Sequence, residues 1–298
     1  MIEAVERKIA QYIAQLEDAD ATSLYAKLPQ GKRLRAKLIL KIAGNNLTAI
    51  KTAAVVEMIH AASLLHDDVI DDAFTRRGKA SLNATYGNKT AIMLGDVLYS
   101  KGFYELNDID TEVAKVISHA VIQLSLGERN DVLLSQHFNH DKAKYLKMIY
   151  QKTASLMEAS AEAAALLAGK SRAAYRTYGR NLGIAFQMID DLLDVTQTAQ
   201  QLGKPAMHDY EEGKATLPFI YLYEVLSSED QERLMRLHAT ILKPADQQWI
   251  AEKMQEHGIV QRCFTEAKDL IDEAITLMQQ AGEQSLEAIA KAMIERSF

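Results

Sequence analysis

The chain has 298 residues, 48% of them hydrophobic and 25% charged, with a net charge of −6, 4 prolines, 14 glycines and one cysteine, Cys263. The acidic balance excludes a whole-protein basic footprint for nucleic acid, and a lone cysteine excludes a disulfide framework or a cysteine-built metal site. So few turn-forming residues disfavour a β-sandwich or barrel and point to long helices, in a chain long enough for a sizeable core.

Helical periodicity runs almost throughout, without repeat or linker, so residues 1–298 read as a single domain. Residues 1–20 are too charged for a signal peptide, and no apolar run approaches the roughly 20 residues of a spanning helix. A reduced, soluble, cytoplasmic protein is expected. Helices are predicted over 2–18 and 33–45, the second following Pro29-Gln30-Gly31 and starting within the basic run Lys32-Arg33-Leu34-Arg35. The next, 48–71, is almost wholly apolar or small up to Leu65 and runs into His66-Asp67-Asp68-Val69-Ile70-Asp71-Asp72. Arg76-Arg77-Gly78-Lys79 comes directly after. Helices over 88–107, 111–135, 141–168 and 171–195 follow; the last holds a second apolar stretch, 182–189, that runs into Asp190-Asp191-Leu192-Leu193-Asp194. Beyond Gly203-Lys204-Pro205, helices are predicted over 213–227, 229–240, 245–256, 258–281 and 284–296.

Two acidic clusters at the ends of buried helices are the main anomaly. Asp67 and Asp71 lie one turn apart on a helix, as do Asp190 and Asp194, with Asp191 between. Like charges at that spacing repel, and the helix dipole disfavours them at a C-terminus. Aspartates also gather at solvated helix ends, so one such cluster reads either way. Two of the same pattern favour a hard divalent cation such as Mg²⁺, which takes one or two carboxylates together with water and phosphate oxygens. The basic segments around Lys32, Arg76 and Lys204, and Gly213-Lys214, each read alone as solvated faces. Arg76 and Arg77 stand out because they follow the first acidic cluster so closely. Metal on one side and guanidinium on the other is how a diphosphate is clamped.

In these motifs the chain resembles the trans-isoprenyl diphosphate synthases, especially the bacterial polyprenyl diphosphate synthases of hexaprenyl, heptaprenyl and octaprenyl type. The match covers nearly the whole chain, from about Gly31 to Pro218 by motif and beyond by length and helicity, and rests on Gly31-Lys32-Arg33-Leu34-Arg35, Leu64 through Gly78, Lys152-Thr153-Ala154-Ser155-Leu156, Phe186 through Asp194, Gly203-Lys204-Pro205 and Glu212 through Pro218. It implies an all-α, single-domain isoprenoid synthase fold of about ten to thirteen helices around a deep central cavity. Asp67, Asp71 and Asp190 would bind about three Mg²⁺ ions on the allylic diphosphate, with Asp68, Asp191 and Asp194 in support. Arg76, Lys152, Gln187, Lys204 and Lys214 would contact that substrate, with Thr153 beside it. Lys32, Arg35, His60 and Arg77 would bind isopentenyl diphosphate. Two departures alter loop shape alone: Gln30 stands where the family has a second glycine, and Ala36 where it has proline. Residues 127–131 match only loosely and are assigned no role.

The implied reaction ionises an allylic diphosphate such as farnesyl and adds isopentenyl diphosphate, without an organic cofactor. Ala62, placed about 10 Å below the midpoint of Asp67 and Asp71, corresponds to the floor beneath the growing chain. With Ala62 and Ser63 both small, a hexaprenyl to octaprenyl product for quinone side chains is expected, or alternatively geranylgeranyl diphosphate. The resemblance also implies a homodimer, or a catalytic chain active with a small regulatory subunit, and at most peripheral membrane contact. A class I terpene cyclase would lack the second Asp-rich cluster and the Gly31-to-Arg35 segment. A metal phosphohydrolase would need more histidines near His66, and a scaffold subunit would lack the aspartates.

Overall fold

The computed structural model describes residues 1–196 and 207–294. In chain order its helices are α1 (Ile2–Ala14), α2 (Ala19–Ala26), α3 (Leu34–Ala43), α4 (Leu47–Ile70), α5 (Leu82–Tyr86), α6 (Asn88–Leu106), α7 (Thr111–Ser135), α8 (Lys142–Ile149), α9 (Ser155–Leu167) and α10 (Arg172–Thr196). There follow α11 (His208–Glu211), α12 (Leu217–Val225), α13 (Ser228–Leu237), α14 (Pro244–Glu256), α15 (Ile259–Gln280) and α16 (Glu287–Ile294). A hairpin of β1 (Thr75–Arg76) and β2 (Lys79–Ala80) is the only sheet among the described residues. The all-α expectation therefore holds. The chain divides into two compact units, Met1–Ile122 with Leu156–Arg176, and Gln123–Ser155 with Thr177–Phe298.

In the first unit, α4 packs against α1, α3 and α6. The Asn46 side chain accepts from the Ala49 N–H and caps its start. From Ala53 to Ile59 every apolar residue of α4 is fully buried, so its continuous apolar sequence serves packing on all sides. By length and composition α4, 24 residues long, is apolar enough to cross a membrane; the expectation that no run approaches that limit was too strict. One charge lies within the Ala53-to-Ile59 stretch: Glu57 accepts from the Ala36 N–H at 2.9 Å and from Arg33 at 3.4 Å. Arg33 also donates to Glu6 at 2.6 Å. Its guanidinium thus ties α1 to α4, although its sequence neighbours are the expected phosphate ligands. Helix α2, absent from the sequence reading, buries no residue and so shows no apolar stripe; Asp18 caps it by accepting from Ala21.

In the second unit, the helix predicted over 141–168 is interrupted. A π turn, Tyr150–Ala154, lies between α8 and α9. It is held by two glycines that leave no room for a side chain: a Cβ on Gly127 of α7 would run into the backbone of Lys152, and one on Gly183 of α10 into that of Ala154. The C-terminal helices close this unit, α15 packing on α12, α14 and α16, with the Tyr178 hydroxyl donating to the Leu286 carbonyl at 2.9 Å.

Candidate active site

In the first unit, Asp67 and Asp71 are half-buried and Asp68 is buried. All three sit at the C-terminus of α4, whose last turn contains no basic residue. The compensating cation comes from the hairpin: the Arg76 Nε donates to Asp68 Oδ1 at 2.6 Å. Burial raises the Asp68 carboxyl above its usual range and Arg76 opposes that shift. The hairpin can turn so tightly because Arg77 and Gly78, its two central residues, both have positive φ, at 53° and 72°, as a type I′ turn requires. The side chain of Asn83 donates to the carbonyls of Asp68 at 3.0 Å and Ala73 at 3.1 Å and fixes the loop between helix and hairpin.

The same unit gathers a second group. Arg77 donates to the Pro29 carbonyl at 3.0 Å. The buried Arg35 Nε has no hydrogen-bond partner among the described residues. Burial holds the His60 imidazole well below its ordinary pKa, reinforced by Arg35, Arg77, Arg76 and Arg33. Arg33 and Arg76 are already paired with Glu6, Glu57 and Asp68, so beside the neutral histidine it is Arg35 and Arg77 that offer positive charge to an anion. Lys32 is exposed on the approach to α3.

Helix geometry alters the reading of Ala62. At about 100° per residue, the midpoint of Asp67 and Asp71 falls on Val69, on the opposite side of α4. Ser63, His60 and Val56 share the face of Asp67, whereas Ala62 points about 140° away. Fully buried, it lies beside Val55, Ile59 and His66, which meet α6 at Gly102 and Gly95.

In the second unit, Lys152, Thr153, Gln187, Asp190, Asp191, Asp194 and Lys214 line one cleft of about 280 Å³. Lys204 lies outside the described residues. The π turn delivers Lys152 and Thr153 together. Thr153 donates to Gln187 Oε1 at 2.7 Å, and Gln187 Nε2 donates to Asp191 Oδ1 at 2.8 Å. The Tyr145 hydroxyl donates to Asp191 Oδ2 at 2.6 Å. Burial, with Asp209 nearby, pushes Asp191 up to about 8. Asp190 is exposed, while Asp194 is buried and accepts from the Asp209 N–H at 3.1 Å. Lys152 donates to Asp131 at 2.6 Å and lies 2.9 Å from Glu128, acids in the segment that the sequence left without a role. Tyr145 and Asp209 were also missed: a tyrosine on the buried face of an amphipathic helix reads as core, and Asp209 stands in a segment without periodicity.

The donor set suits a hard cation. Asp67 with Asp71, and Asp190 with Asp194, offer carboxylate oxygens one turn apart without histidine or cysteine among them. Among the described residues no three His, Cys, Asp or Glu side chains form a ready cage. Water and phosphate oxygens would complete the shell, the coordination Mg²⁺ prefers.

Comparison with known proteins agrees with this chemistry. The family model for polyprenyl synthetase matches residues 19–256. A short chain isoprenyl diphosphate synthase of Methanothermobacter thermautotrophicus is 33% identical over 285 residues, covering 89% of this chain and 86% of the relative. The crystal structure of octaprenyl pyrophosphate synthase from Helicobacter pylori superposes with a TM-score of 0.94 at 40% identity, over 99% of this chain and 98% of that one. The polyprenyl synthase from Caulobacter crescentus, solved in complex with calcium and isoprenyl diphosphate, gives a TM-score of 0.88 at 31% identity, over 99% and 94%.

Proposed function

Given that this chain belongs to the polyprenyl synthetase family, and is thus a prenyltransferase that makes trans-prenyl diphosphates, we propose that it elongates an allylic diphosphate with isopentenyl diphosphate to a hexaprenyl to octaprenyl product in an Mg²⁺-dependent reaction. The observation that carries this reading is the cleft that brings Lys152, Thr153, Gln187, Asp190 and Lys214 together. Asp67 with Asp71, and Asp190 with Asp194, would hold Mg²⁺, which supplies neutralising charge for the departing diphosphate. Lys152, Lys214 and Arg76 donate to its oxygens and favour cleavage of the allylic C–O bond. Thr153 and Gln187 orient it. Arg35, Arg77 and Lys32 bind the diphosphate of the second substrate, whose double bond attacks the allylic cation before a proton is lost. The neutral His60 contributes a hydrogen bond without adding charge.

The small side chain of Ser63, on the face of Asp67, supports a long product, as does likeness to an octaprenyl synthase; likeness to a short-chain synthase makes geranylgeranyl diphosphate the alternative. The proposal includes a homodimer acting in the cytoplasm, with at most peripheral membrane contact, that feeds quinone side-chain synthesis. The test is incubation of the purified chain with Mg²⁺, farnesyl diphosphate and labelled isopentenyl diphosphate, with products sized by chromatography. Label in hexaprenyl to octaprenyl chains is expected. Label in geranylgeranyl diphosphate selects the alternative; label left out of the product points to cyclisation instead. Silence relieved only by a small partner subunit would replace the homodimer. Full activity in Asp67→Ala or Asp190→Ala would overturn the metal roles.

A further inference from the structure

The ammonium of Lys152 is flanked by two carboxylates, Asp131 Oδ2 at 2.6 Å and Glu128 Oε2 at 2.9 Å. Both acids are buried, at 6% and 8% exposure. They stand three residues apart on α7 and so share a face. Gly127, beside them, lets the Lys152 backbone press onto that helix. One residue from each end, Asn130 donates to Gln151 at 2.7 Å and ties the two segments together again. The pairing is thus part of the buried architecture: Asp131 accepts a hydrogen bond from Lys152, and Glu128 stands beside the ammonium as an ion pair, neither of its oxygens hydrogen-bonded among the described residues.

Two carboxylates around one ammonium leave an excess of negative charge. That is unexpected beside a cleft whose ligand is an anion, and Asp131 lines the cleft itself. A lysine so compensated attracts diphosphate less than an uncompensated one would. Weaker attraction has a use here, because each turnover frees inorganic pyrophosphate that must leave, and ground-state binding that is too tight does not raise turnover. We propose that Asp131 and Glu128 are internal counterions of Lys152 that moderate its hold on diphosphate and speed the release of inorganic pyrophosphate. The inference rests on the reading of this cleft as the seat of the allylic diphosphate.

Asp131→Asn separates charge from position, since the amide oxygen still accepts from Lys152. Titration of the full chain with inorganic pyrophosphate at fixed Mg²⁺ is expected to show binding about tenfold tighter in Asp131→Asn, with a lower kcat. In a Lys152→Ala background the same substitution is expected to bring no gain, because the effect passes through the lysine. Glu128→Gln removes the other charge, is read in the same way, and serves if Asp131→Asn fails to fold. Unchanged or weaker pyrophosphate binding overturns the proposal, as it would if Asp131 served a metal. An equal gain with and without Lys152 also overturns it. A wild-type chain that neither binds pyrophosphate nor joins the two substrates refutes the proposed function instead; one that does both, without the tighter variant, refutes this inference alone.

Discussion

The Tyr145 hydroxyl donates to Asp191 at 2.6 Å, and the other oxygen of that carboxyl accepts from Gln187 at 2.8 Å. Because Gln187 accepts in turn from Thr153, one buried phenol governs the orientation of two side chains that face the cleft. Tyr145→Phe leaves the shape intact and removes one bond to a buried carboxyl, a loss of about 1–3 kcal/mol. The KM for the allylic diphosphate is expected to rise while that for isopentenyl diphosphate stays unchanged, as checked by steady-state kinetics with each substrate varied in turn.

Gly127→Ala is expected to destabilise the protein by about 1–3 kcal/mol or more, because the new methyl meets backbone rather than a flexible side chain. Urea denaturation measures that loss. Activity should fall further than stability does, since displacement of the π turn moves Lys152 and Thr153 together.

His60 sets a dependence on acid. Its folded pKa lies well below the ordinary 6.5, through burial and then the surrounding arginines, so below that value the unfolded chain takes up a proton that the native one refuses. Stability therefore falls as pH drops through about 6.5. His60→Gln is expected to flatten that acid limb in thermal melts followed from pH 8 to 5, and an unchanged slope would assign the loss to other groups.

Product length is tested by two substitutions on different faces of α4. Ser63→Phe, one turn below Asp67, is expected to shorten the product with little change in stability. Ala62→Phe, turned toward α6, is expected to lose about 1–3 kcal/mol from overpacking there and to leave product length unchanged. Chromatography of the products decides: unchanged chain length in Ser63→Phe removes that face from length control, and a shorter product from Ala62→Phe overturns the placement of Ala62 against α6.

Cys263 is buried, and burial with Glu266 nearby pushes its thiol up to about 12. Native protein at pH 8 is expected to resist alkylation, with modification appearing only as the chain unfolds in denaturant. Fast labelling under native conditions would contradict the assigned burial.

The acidic motifs were legible in the sequence because charge at the end of an apolar helix conflicts with local physics and so calls for a cause. Where the structure conflicts with nothing local, the sequence is silent. Arg33 looks like its basic neighbours, yet its partners Glu6 and Glu57 come from two distant helices. Glu128 and Asp131 have the spacing of an ordinary solvated face, and only the fold brings Lys152 to them. Distance along the chain puts Ala62 at the right depth below Asp67 and Asp71, but rotation about the helix axis turns it toward α6. The π turn leaves no mark in composition, since its residues suit a regular helix equally well.

That turn has a consequence for how such sites arise. A π turn amounts to one residue inserted into an α-helix, and here it falls at Tyr150–Ala154, where Lys152 and Thr153 project. Deletion of a single residue from this stretch would restore a regular helix and leave the flanking helices in their present rotation, because the π turn already absorbs the extra residue; the change would fall on the turn itself, where Lys152 and Thr153 project. The arrangement of the cleft therefore depends on chain length as well as on residue identity. When related chains are aligned, a one-residue gap at this point would signal loss of the cleft's chemistry even where every motif residue is retained.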